Sequence, residues 1–87
     1  MIEVCKETRR SYTWFFNPIN SEFISLDISG NLVSTIKGSH IPDPDKIAAN
    51  RRELKEKGLL PLDAREKADI VTIKLWNFYN AYINTKL

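Results

Sequence analysis

The sequence predicts an α+β fold: a three- to four-stranded antiparallel β-meander followed by two helices packed on one face, in a single domain spanning residues 1–87. Three observations carry this. Residues 12–37 alternate apolar and polar positions with period two and are interrupted by two groups of turn residues. Residues 43–57 and 63–85 instead recur at helical spacing, each opened by a capping residue. The strands all precede the helices, the order expected when helices cover one face of an antiparallel sheet.

Taken in order, Met1–Cys5 is compatible with a short strand or an extension of the next one. Tyr12–Asn17 is aromatic and β-branched, as strands prefer. Asn17-Pro18-Ile19-Asn20 supplies turn chemistry, because Asn bonds its own backbone and Pro fixes φ. Glu22–Ile28 alternates like a half-buried strand. Ser29-Gly30-Asn31 forms a second turn, with Gly30 free to take positive φ. Leu32–Lys37 returns as the third strand of the meander, and Gly38–Pro42 links it to the helices.

The first helix is predicted over about 43–57. Asp43 is a good N-cap and Pro44 suits the first helical position. Gly58 is placed for a left-handed C-cap, with Leu59 positioned toward Leu54 in a Schellman motif, and Pro61 beyond it. Its apolar seam is thin: Ile47, Leu54 and a little Ala48, with Arg51 on the same stripe. Such a helix packs lightly.

The second helix is predicted over about 63–85. Asp63 can cap it, and Glu66 occupies the reciprocal capping-box position. Ala68, Val71, Thr72, Leu75, Trp76, Tyr79, Tyr82 and Ile83 form one broad apolar arc, which should bury Trp76 and Tyr79 against the sheet. Asp69, Asn77, Asn80 and Asn84 lie opposite, together with Ile70 and Ile73. Those two isoleucines mark either an exposed partner-contact patch or a surface covered by the N-terminal segment.

The composition narrows the function classes. An apolar fraction of 43% is too high for a disordered chain, and a net charge of +2 permits nucleic-acid binding without demanding it. At 87 residues the core is modest, so a partner or a dimer would help stability. A lone cysteine, Cys5, supports neither a disulfide framework nor a Cys/His zinc site. A free thiol, with no signal-peptide pattern and no long apolar run, leads us to expect a cytoplasmic protein that does not insert in membranes.

The chain has no phosphate-binding glycine loop, nucleophile elbow, metal-spaced ligand set or paired-carboxylate motif. Neither a metal nor another cofactor is expected. Chemistry that needs only generic groups remains, such as metal-free RNA cleavage by the substrate's own 2′-hydroxyl. Its candidates are Ser34 and Lys37 on the third meander strand and His40 just beyond it. Arg51, Arg9 and Arg10 are candidates for binding phosphate. Each has a plainer reading: Lys37 as a charged strand end, His40 as a linker residue, Arg51 as a stem buried on the helix seam with its head in water. Tyr12, Trp14 and Phe16 fall on one face of their strand, and Thr13 and Phe15 on the other. One face must be core, and Phe15 could stack a base if its own face is open.

Residues 12–60 resemble the C-terminal part of colicin D-type tRNA-cleaving toxin domains, small ribonuclease toxins related in fold to barnase and RelE. The resemblance rests on Phe16-Asn17-Pro18, Phe23-Ile24-Ser25-Leu26-Asp27, Gly30-Asn31-Leu32-Val33-Ser34, Lys37, Leu54 and Gly58-Leu59-Leu60. It implies a metal-independent endoribonuclease acting on tRNA or other RNA, with Ser34 and Lys37 at the active groove and an immunity or antitoxin protein as partner. Ile36 stands where the family has Trp, and no histidine precedes position 40. The alternative is a non-enzymatic protein, for example from a phage or mobile element, that binds and inhibits a host protein.

Overall fold

The computed structural model describes residues 1–85 and has the α+β architecture the sequence predicts. Four strands, β1 (Ile2–Glu7), β2 (Tyr12–Asn17), β3 (Glu22–Leu26) and β4 (Leu32–Lys37), form one antiparallel sheet in the order β1-β2-β3-β4. A short 3₁₀ turn over Gly38–His40 leads to α1 (Pro44–Glu56) and then α2 (Ile70–Thr85). The N-terminal segment therefore forms a separate edge strand over Ile2–Glu7 and is not an extension of β2. The molecule is a thin slab, with Cα extents of 43 × 35 × 15 Å.

The turns form as their residues dictate. Asn17 Oδ1 accepts from Ile19 N at 3.0 Å, and Asn20 Oδ1 accepts from Glu22 N at 3.2 Å. Asp27 Oδ1 accepts from both Ser29 N and Asn31 N, while Gly30 takes φ +84°. Asp27 is thus the keystone of a turn, and β3 ends at Leu26 where a strand through Ile28 was expected. Its carboxylate satisfies turn amides that a longer strand would have needed for pairing.

Strand alternation splits the sheet into two faces. Phe16 and Phe23 pair across β2 and β3 and are fully buried on the face that α2 covers. Their rings meet at 4.8 Å, and Phe78, Tyr79 and Tyr82 of α2 close over them in tilted and edge-on contacts. Cys5, Ile41 and Leu75 complete this core, with Val71 and Trp76 packed at its margin. Phe78 belongs to the packed face although the predicted arc left it out. Ile83, which that arc included, is 40% exposed. The buried face is rotated from the predicted arc toward Phe78.

Both predicted boundaries of the first helix are found. Asp43 Oδ1 accepts from Asp45 N at 2.9 Å, Pro44 opens the helix, and Gly58 closes it at φ +73°. Leu59 N bonds Leu54 O at 2.8 Å and Gly58 N bonds Lys55 O at 3.0 Å, the paired bonds of a Schellman motif. No residue of α1 is buried. It leans lightly on the flank of α2, so that α2 covers the sheet where both helices were expected on that face.

The second helix starts later than expected. Residues 63–69 are turn and irregular chain, and α2 begins at Ile70. Asp69, not Asp63, takes the capping role: its Oδ1 accepts from Thr72 N at 2.8 Å. Glu66 is drawn away from the capping box into ion pairs with Arg52 (3.4 Å) and Lys55 (3.1 Å) of α1. Arg51 donates to the Lys67 carbonyl at 3.0 Å and, at 3.5 Å, to that of Arg65. Tertiary bonds to α1 thus occupy the groups that a helix through 63–69 would need, and local capping loses.

Candidate functional site

Ser34 and Lys37 are three residues apart on one strand, an odd separation that sends their side chains to opposite faces. Ser34 pairs with the fully buried Ser25. Their Oγ atoms lie 2.9 Å apart, and Ser25 Oγ also accepts from Ser34 N at 3.1 Å. This cross-strand clasp satisfies a polar group in the core, and among the described residues no base touches the Ser34 hydroxyl. Lys37 pairs with Glu22 on the face away from α2. His40 is exposed at the end of the 3₁₀ turn, and Arg51 is held by the carbonyls before α2. The structure does not bring Ser34, Lys37, His40 and Arg51 into one cleft.

It does bring Ser34 and Arg9 together with Ile70. All three line a cavity of about 570 Å³ between the start of α2, the end of β1 and the middle of β4. Trp14, Ile36 and Leu75 supply its apolar wall, and Lys6, Arg65, Glu7 and Asp69 add charge. His40, Lys37 and Arg10 are not among its lining. Trp14 Nε1 is buried and has no hydrogen-bond partner among the described residues. Ile73 lies elsewhere: half-buried, it lines a second groove of about 450 Å³ between α1 and α2 with Ala48 and Trp76. Ile70 is 59% exposed, so the two isoleucines do not form one outward patch. Among the described residues no group of His, Cys, Asp or Glu is arranged to hold a metal ion.

A further apolar surface is the sheet face that no helix covers. Phe15 pairs with Ile24 at its centre, flanked by Glu3 on β1 and Thr35 on β4. Leu26 continues the row beside Thr13, and a register shift sets it opposite Leu32. Leu32 is 64% and Val33 39% exposed. Glu22 and Lys37 close one end. Period-two alternation in residues 22–26 was the available signal for Ile24 and Leu26. The cavity residues Trp14 and Arg65 carried none, since they meet only in three dimensions.

One thiol and one carboxyl group are shifted by their surroundings. Burial pushes the Cys5 thiol above its ordinary value, partly offset by Lys74. The hydrogen bond from Lys55 holds the Glu66 carboxyl below the usual carboxylate range, with Arg52 helping.

No protein-family model, no curated protein and no solved structure matches this chain. Among the described residues no helix is long and apolar enough to cross a membrane.

Proposed function

We propose that this protein acts by binding rather than by catalysis, docking a partner protein on the open face of its sheet. One observation carries the reading: the Phe15–Ile24 pair sits at the centre of an uncovered four-stranded face, extended by Leu26, Leu32 and Val33. An apolar centre with a charged rim of Glu3, Glu22 and Lys37 is the anatomy of a protein interface. The rim holds both signs of charge, which disfavours a phosphate backbone as the ligand of this face. The ribonuclease reading has less support, because its acid–base and cationic candidates lie apart.

Site-specific photocrosslinking tests this. A benzophenone side chain replacing Phe15 should capture one defined protein in cells, and Leu26→Lys should abolish the capture. The same probe at Asn50 on α1 should give none. A crosslink confined to a second copy of the chain would make the face a dimer interface instead, and no crosslink at all would sink the proposal.

A further inference from the structure

We propose that the cavity beneath the first turn of α2 binds a nucleoside monophosphate unit, free or at the end of an RNA strand. The inference is independent of the docking face, which lies on the other side of the sheet.

Shape and lining select the chemistry. The volume of about 570 Å³ falls within the range of small-ligand clefts. Trp14, Ile36, Ile41, Val71 and Leu75 offer an apolar wall suited to a flat ring system. The lining carries a modest excess of positive charge. The Asp69 carboxylate is occupied by Thr72 N, and Arg65 spends one donor on the Ala68 carbonyl at 3.3 Å. No ion pair or hydrogen bond engages the head groups of Lys6 and Arg9 among the described residues. Three cations, Lys6, Arg9 and Arg65, thus stand against two carboxylates, Glu7 and Asp69, in the lining.

An apolar wall beside clustered cations fits a ligand with a planar body and an anionic head. A guanidinium fork matches phosphate oxygens in a bidentate way, which places Arg9 as the principal anchor. The Ser34 and Thr72 side chains add hydroxyl groups along the wall. A simple inorganic anion would use the cations but leave the apolar wall empty, so a nucleotide should outcompete it.

The test uses the full chain carrying Trp76→Phe, which leaves Trp14 as its sole tryptophan reporter. AMP should quench or shift its emission saturably, with inorganic phosphate a weaker competitor. Arg9→Ala should weaken AMP by about tenfold or more, as expected for a lost charge-assisted fork. Glu7→Gln should tighten it. Arg9 is exposed, and unchanged melting of the variant excludes misfolding as the cause. A short RNA with and without a 5′-phosphate separates the two sources: preference for the phosphorylated strand over AMP assigns the site to RNA ends. Failure of both AMP and the phosphorylated RNA to bind at millimolar concentration overturns the proposal. So does binding that Arg9→Ala leaves unchanged.

Discussion

The ring of Tyr79 lies directly against the backbone of Gly38, so that a β-carbon at position 38 would overlap the ring. Gly38 is buried, and its N–H donates to Ser21 O at 2.8 Å. Glycine is required here for space, because only without a side chain can the end of β4 slide under the aromatic face of α2. This contact also fixes how the chain leaves the sheet toward α1.

Gly38→Ala should therefore destabilise the fold by about 1–3 kcal/mol, the usual cost of overpacking a rigid neighbour. Urea denaturation checks it. The same substitution made in a Tyr79→Ala background should cost far less, and equal costs in both backgrounds would show that the ring is not the obstacle.

Trp76 and Tyr79 were expected to be buried against the sheet, but both are only half-buried, whereas Phe16 is fully enclosed. Phe16→Ala should cost about 3–5 kcal/mol and leave little stability in so small a domain. Trp76→Ala should be milder, since its ring also borders the groove between α1 and α2. Equal losses for the two variants would place Trp76 in the main core.

The Cys5 thiol is buried and its pKa is raised, mainly by desolvation. A thiol reagent at neutral pH should react with the native protein far more slowly than with the unfolded chain, and the rate should track urea-induced opening. Rapid labelling in native buffer would contradict a closed edge between β1 and α2.

Glu66 links the chain before α2 to α1, and its carboxyl is held low chiefly by Lys55. A carboxyl depressed by folding adds stability above its unfolded pKa, and that stability is lost as pH falls through the folded pKa. Glu66→Gln should thus be less stable than the parent at neutral pH, with the difference shrinking below the ordinary carboxylate range. Melting curves of the pair across acid pH decide it, and a difference independent of pH would remove the ionic contribution.

Purified protein should leave total tRNA intact in the presence of a chelator, and His40→Gln should change nothing. Gel analysis of the RNA is sufficient. Cleavage that disappears in His40→Gln would restore a nuclease whose groups assemble only on substrate.

Much of this molecule is local and was therefore legible. Asn17, Asp27 and Asp43 bond amides only a few residues away, and Gly58 adopts its C-cap conformation within one turn. Short-range bonds of this kind need no tertiary context, so the meander and α1 follow from the order of residues. The opposite orientation of Ser34 and Lys37 was legible too, since strand alternation dictates it, and a shared cleft for them conflicted with that rule. Tertiary structure decided the rest. Arg51, Arg52 and Lys55 reach across to residues 65–67 and delay α2 to Ile70, overriding a capping box that was locally sound. The position of α2 then settles which sheet face is covered, leaving Phe15 and Ile24 on the open one, and it roofs the cavity that joins Arg9, Trp14 and Arg65. Residues 56 apart in the chain meet there because of how the layers pack, a relation that no local pattern encodes.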